Sequence, residues 1–395
     1  MSSRYVKPAP WGVGTDQFSW FARMRREAPV FVDPGSGVVS AFRYEDTQRV
    51  LSDFASFSSE RGSGGASEEQ ALSVSMISSD PPRHRRLRNL VTQVFTPRAV
   101  ALLEPRISAI VADSLDQLDQ RGAHDSAPVD FIDEFAVPLP VTVIAELLGV
   151  PAERRADFRR WSDILVTNGG ARGWAKLAEA QREMAAFFGQ MIAQRRAEPR
   201  DDLISHLVTA EIDGERLTQV ELIGFCMLLM VAGNETTTNL LGNAVLCMEE
   251  QPEVWQRLRA DPALIPSAIE EVLRYVSPVQ SMFRVARGEE RIGDVVIQPG
   301  QPVVAWIGSA NRDETQFADA DCFDITRAPN RHLAFGYGIH FCLGAPLARL
   351  EGRVALEALT RRAESIRVAP DARLDWIEST IVYGVKHLPV TLTLA

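Results

Sequence analysis

Between Phe335 and Gly344 the chain reads Phe-Gly-Tyr-Gly-Ile-His-Phe-Cys-Leu-Gly, and a helix start at Ala345-Pro346-Leu347 follows at once. The segment combines a turn-forming Gly-x-Gly, a single thiol and a further glycine two residues after it. Glycines at 336, 338 and 344 permit backbone angles and close approaches that a side chain would block, so amide N–H groups can turn toward the Cys342 sulfur. Those donors, with the positive end of a helix dipole beside them, stabilise a thiolate and tune its redox potential. Pro346 suits the first turn of that helix. A structural cysteine in a glycine-rich turn is the ordinary alternative for one isolated thiol. The combined pattern points instead to a sulfur presented to a metal, and a haem site accounts for every part of it.

A second stretch is chemically odd for its setting. Thr218 to Glu250 reads as one helix of about eight or nine turns, apolar enough to run through the middle of a protein. Its centre, Ala232-Gly233-Asn234-Glu235-Thr236-Thr237, puts a glycine, an acid and β-branched alcohols into that helix. Glycine alone costs ~1 kcal/mol there relative to alanine. An alcohol both donates and accepts hydrogen bonds, and an adjacent carboxylate can shuttle protons from solvent. The alternative is a threonine that bonds back to a helix carbonyl and kinks the helix.

Phe335 to Gly344 resembles, at every defined position, the haem-binding signature of the cytochrome P450 superfamily, Phe-Gly-x-Gly-x-(His/Arg)-x-Cys-x-Gly. Ala232 to Thr237 is similar to the oxygen-binding motif of that superfamily, (Ala/Gly)-Gly-x-(Asp/Glu)-Thr-(Thr/Ser). The resemblance implies a mainly α fold with a small β lobe, a helical triangular prism whose long central helix passes over the haem. It implies haem b (iron protoporphyrin IX), with Cys342 as the metal ligand and Phe335, Gly336 and Gly344 in the binding loop. Gly233 would leave room for O2, Thr236 would hydrogen-bond it, and Glu235 would relay protons. The activity implied is insertion of one oxygen atom of O2 into a substrate.

Further positions match the same family. Glu271-Val272-Leu273-Arg274 matches Glu-x-x-Arg, whose charged pair lies buried behind the haem and is structural. Where relatives often place an arginine before a phenylalanine, this chain has Asp321-Cys322-Phe323, so Arg327 or Arg331 would be the third partner and Cys322 a packed thiol. His84, Arg88, Arg284 and His340 occupy positions that hold the haem propionates, whose buried charge demands such partners. The substrate pocket would be lined from Ser75 and Met76, from Leu229 and Ala232, from Val279, Gln280, Ser281 and Met282, and from Val382 and Tyr383. That lining is largely apolar, so a fatty acid, terpenoid or steroid-like lipophile is the expected substrate.

The remaining sequence must position these groups. With 395 residues, 46% of them hydrophobic and 24% charged, the chain can bury a substantial core, and no Gly/Ser-rich or Pro-rich linker divides it. One domain over 1–395 is expected. Helical periodicity dominates from about Glu45 to Tyr275. Short β-type runs occur at Val30 to Val32, Val38 to Phe42, Phe283 to Ala286, Val295 to Ile297 and Val390 to Leu394. Two loop-like stretches, Ser56 to Glu68 and Asn168 to Gly173, are candidate lids.

The net charge of −10 argues against general attraction to nucleic acid or to an anionic membrane. The longest apolar run, Leu222 to Gly233, falls short of the ~20 residues that cross a bilayer, so no membrane anchor is expected. Cys226, Cys247, Cys322 and Cys342 lack paired spacing and no signal segment precedes them, which fits a cytoplasmic monomer. With no appended flavin or iron–sulfur module, electrons would come from an external ferredoxin and its reductase. Arg83, Arg85 and Arg86 form a basic cluster in an acidic chain, a candidate docking patch for that ferredoxin. A peroxide-driven peroxygenase is disfavoured by the Glu235 and Thr236 pair, and a gas sensor or electron carrier by the lack of any output module.

Overall fold

The long helix predicted around the odd motif is present as Gln219–Glu250, 32 residues or roughly 48 Å. Its start is set by a reciprocal cap: the Glu221 amide donates to Thr218 Oγ1, and the Thr218 amide donates to Glu221 Oε2 at 3.0 Å. This central helix has the length and composition of a membrane span, but most of its apolar window is covered by protein, as in a core helix. It packs against helices Pro138–Leu147, Arg155–Val166, Ala171–Ala197, Ile265–Tyr275 and Ala345–Arg362. The Asn243 amide ties it to the C-terminal chain by donating to Val276 O and Tyr383 O, both at 3.1 Å. The computed structural model describes residues 16–60, 68–120, 128–166 and 171–394.

The β lobe is built from short, valine-rich strands. A five-stranded sheet runs in the order Val30–Val32, Val39–Ala41, Pro302–Ala305, Met282–Ala286, Phe57–Ser58. Its pairs are antiparallel except Val39–Ala41 with Pro302–Ala305. Register places Arg284 opposite Val303, on a strand flanked by Pro302–Ala305 and Phe57–Ser58. A second sheet joins Ala363–Val368, Pro389–Leu394 and Val129–Asp130. Among the strands not anticipated in the sequence, Phe57–Ser58, Pro302–Ala305 and Ala363–Val368 are short or follow a helix without a breaker, so only their partners define them. Of the two candidate lids, 61–67 and 167–170 lie outside the described residues, while 171–173 belong to the helix Ala171–Ala197 rather than to a loop.

The expected ion pair sits at the junction of helical body and β lobe. Arg274 donates to both Glu271 oxygens, at 2.7 and 2.8 Å, and neither side chain reaches solvent. The remaining guanidinium N–H groups donate to the carbonyls of Asn311, Ala320 and Cys322. Glu271 accepts further bonds from Arg327 Nε at 3.2 Å, Asn330 Nδ2 at 3.0 Å and the Asp324 amide at 2.9 Å. Arg327 is therefore the third partner; Arg331 contributes only its carbonyl, which accepts from Tyr44. Cys322 is not packed as expected: it supplies its backbone carbonyl to Arg274 and leaves the residue exposed.

Candidate active site

The cysteine loop and the central helix face each other across one cavity of about 240 Å³. Gly233, Thr236 and Thr237 line one side, and Phe335, Gly336, His340, Cys342 and Gly344 the other. The loop is held by its backbone: the Cys342 amide donates to Phe335 O at 2.8 Å and the Gly336 amide to Leu333 O at 2.8 Å. Gly336 and Gly338 adopt φ +72° and +73°, and a Cβ on Gly338 would lie 2.8 Å from Ser52 Cα, so only glycine fits there. The helix Ala345–Arg362 begins directly afterwards with Pro346 in its first turn.

The Cys342 thiol stands open to the cavity and is surrounded by protein elsewhere. Burial raises its pKa, while the amides of Gly344 and Ala345 and the guanidinium groups of Arg88 and Arg349 pull the other way. A metal at the sulfur deprotonates it outright. Behind the loop, the Arg349 guanidinium lies 4.5 Å from the Phe335 ring centroid and is fixed by two bonds to Glu270. Burial pushes the Glu270 carboxyl up, but Arg349 and His332 outweigh it and hold the pKa at about 2.

The four predicted propionate partners converge. The His84 and His340 rings are 4.4 Å apart, edge to face. Burial, Arg284 and His84 push the His340 pKa down to about 3, and burial with Arg88 lowers that of His84. His84 Nε2 is buried and meets no protein partner. The acid that influences both rings, Asp80, already accepts from Ser58, the Ser59 amide and Arg287. The buried, unpartnered His84 Nε2, with His340, Arg88 and Arg284 close enough to act on one another's charge, makes an anion site. With the open thiol and the apolar walls, the residues fit a haem carrying two propionates.

On the central helix, Thr236 Oγ1 donates to Ala232 O at 2.6 Å, the back-bonded arrangement named as the alternative, yet the residue still lines the cavity and the helix is continuous. Its oxygen remains an acceptor toward the cavity. Glu235 is buried and does not line it; its Oε1 accepts from Asn239 Nδ2 at 3.0 Å along the same helix. Gly233 does line it, and a Cβ there would lie 2.8 Å from Ile144 Cδ1 on the helix Pro138–Leu147. The missing methyl thus serves the crossing of two helices. Gly233→Ala is expected to cost about 1–3 kcal/mol by overpacking. In a double-mutant cycle on denaturation midpoints, Ile144→Ala should relieve about 1–2 kcal/mol of it, whereas strict additivity would contradict the contact.

Among the predicted pocket residues, Met76, Leu229, Ala232, Val279 and Met282 line the cavity, joined by Ile144, Phe95, Phe225 and Leu228, which sequence reasoning missed. The other five do not. Ser75 Oγ donates to Leu72 O, and Gln280 is locked between Gln17 Nε2 and Ser277 O. Ser281 Oγ donates to Thr380 O, Val382 bridges Val279, and Tyr383 is fully buried against Phe18 and Trp376. In the predicted docking patch, Arg83 pairs with Glu221 at 3.5 Å and Arg86 with Glu221 and Glu215, where helix Arg83–Val94 meets the start of the central helix.

An acid also went unnoticed in the sequence: Glu351, on the buried face of Ala345–Arg362, lines the cavity. Its signal was an acid between Leu350 and Val354 in an apolar stripe.

A helical body threaded by one long helix, with an open thiol and a cationic cluster around an apolar cavity, defines a haem-dependent monooxygenase. A family model described as Cytochrome P450 matches residues 161–365. Cytochrome P450 109 of Bacillus spizizenii is 45% identical over 384 residues, covering 95% of this chain and 92% of the relative. The erythromycin C-12 hydroxylase of Saccharopolyspora erythraea is 41% identical, covering 95% and 94%. The crystal structure of CYP109E1 from Bacillus megaterium in complex with testosterone superposes with a TM-score of 0.88 at 40% identity, covering 95% and 97%. The chain belongs to the cytochrome P450 family and is a monooxygenase with haem as its cofactor.

Proposed function

We propose that this enzyme hydroxylates a bulky lipophile of steroid, terpenoid, fatty-acid or macrolide size, as one domain over 1–395. The carrying observation is the distal wall, where Met76, Phe95, Ile144, Phe225, Leu228 and Leu229 meet the cavity with no charged group among them. Such a wall has nothing to pair with a highly charged substrate and gains from burying apolar area. Relatives support that range: one was crystallised with testosterone and another is named for hydroxylating erythromycin at C-12.

Haem, when bound, supplies the iron at which O2 is activated. Cys342 would ligate that iron, Phe335, Gly336 and Gly344 would shape the loop under it, and His84, Arg88, Arg284 and His340 would hold its propionates. Thr236, its own proton engaged by Ala232 O, would accept a hydrogen bond from a donor in the cavity. Glu235, turned toward Asn239, would relay protons only after releasing that amide. Electrons would come from an external ferredoxin, and the protein would work as a cytoplasmic monomer.

The test is turnover of testosterone-sized lipophiles under isotopically labelled O2. One labelled atom should appear in the product. Product that draws its oxygen only from added peroxide would contradict the reading.

A further inference from the structure

The short helix Glu68–Val74 packs along the central helix and continues into Met76–Ser78. Where the two meet, a Cβ on Gly224 would stand 2.4 Å from Ala71 O and 3.0 Å from Ala71 C. Both are backbone atoms, so no rotamer change makes room. Gly242, farther along the same helix, differs: a Cβ there would lie 2.9 Å from Ile132 Cδ1, the movable end of a side chain. By propensity alanine would serve the helix better at either position, so the seam with Ala71 is what requires glycine at 224.

The far side of the seam moves as a unit. Ala71 is fully buried and Ser75 is 2% exposed, its Cβ 3.5 Å from the Cβ that Gly224 lacks. The Ser75 amide and hydroxyl both donate to Leu72 O, and the Ser78 amide and Ser79 hydroxyl donate to Ser75 O. A displacement at Ala71 is therefore passed on to Met76 and Ile77, which line the cavity. The central helix contributes Phe225, Leu228 and Leu229 to the same cavity, while Gly224 itself does not line it.

We infer that Gly224 is a positioning residue for substrate size: its close approach to the Ala71 carbonyl sets the separation of Met76 and Ile77 from Phe225 and Leu228. That separation decides how large a lipophile the distal wall closes on, an inference that rests on the lipophile reading above. With alanine at 224, restoring an ordinary C···O separation of ~3.3–3.6 Å moves the Ala71 unit outward by roughly 1 Å. A gap of that size forfeits roughly a quarter to a half of the dispersion attraction at each contact it opens. A small ligand then loses contacts, whereas a large one gains room.

Calorimetric titration of the haem-loaded enzyme with menthol, testosterone and erythromycin B tests this. Gly224→Ala should weaken menthol binding relative to erythromycin B by roughly 10-fold, within the range that one misfitted methylene costs in an apolar pocket, with testosterone in between. Ser75→Val, which adds bulk to the seam from the other side, should shift the ratio the same way and serves if alanine at 224 folds poorly. Gly242→Ala makes the same exchange on the same helix against Ile132, which does not line the cavity, and should leave the ratio unchanged. A merely structural glycine would lower stability without moving that ratio. An unchanged or reversed ratio in Gly224→Ala and Ser75→Val, or an equal change in Gly242→Ala, would overturn the inference. Failure of the lipophile reading looks different: wild type itself would bind none of the three.

Discussion

Replacing Cys342 by serine is expected to abolish oxygen insertion while leaving the fold in place. The turn around residue 342 is held by main-chain bonds from Cys342 N to Phe335 O and from Gly336 N to Leu333 O, and by two positive-φ glycines. None of these involves the sulfur. Serine should therefore keep the helical content and unfolding midpoint close to wild type. What disappears is the anionic, electron-rich ligand. Loss of an outer partner of a metal site costs 10–100-fold, and loss of the ligand itself should exceed that, so activity is expected to fall more than ~100-fold. A serine variant with wild-type turnover would show that the sulfur has another role.

Glu271→Ala should have the largest effect on stability of any single change considered. It strips Arg274 of its carboxylate in a place closed to solvent and also removes the acceptor for Arg327, Asn330 and the Asp324 amide. Breaking one partner of such a pair costs about 3–5 kcal/mol, because an uncompensated charge is left buried. Arg327→Ala should cost less, about 1–2 kcal/mol, since Arg274 still neutralises the acid. The double variant Glu271→Ala with Arg274→Ala should lose clearly less than the sum of the singles. Chemical denaturation of the haem-loaded protein measures all three, and a Glu271→Ala midpoint within about 0.5 kcal/mol of wild type would contradict the buried pair.

The parts of the site dictated by the backbone were the legible ones. Glycines at 336 and 338, one cysteine and a proline at the next helix start can be read because few other residues fit those angles. Glu271 and Arg274 were legible from their spacing, but the choice of Arg327 over Arg331 depends on how the following loop folds back. The pocket was read less well. Val279 and Met282 line it while Gln280 and Ser281 between them bond to Ser277 O and Thr380 O, a spacing of three that the two-residue alternation of an extended chain does not predict. The ion pairs of the basic cluster were not legible because its partners, Glu215 and Glu221, lie more than 120 residues away in sequence. Gly233 was read only as space for a ligand; it lines the cavity, and its missing Cβ also makes room for Ile144.

Thiolate ligation by Cys342 is tested most directly by the absorption spectrum of the reduced, haem-loaded protein under carbon monoxide. Wild type should show the strongly red-shifted band of a thiolate-ligated haem, and Cys342→Ser should lose it. A histidine-type spectrum in wild type, or a thiolate-type spectrum that survives the serine substitution, would contradict that ligation.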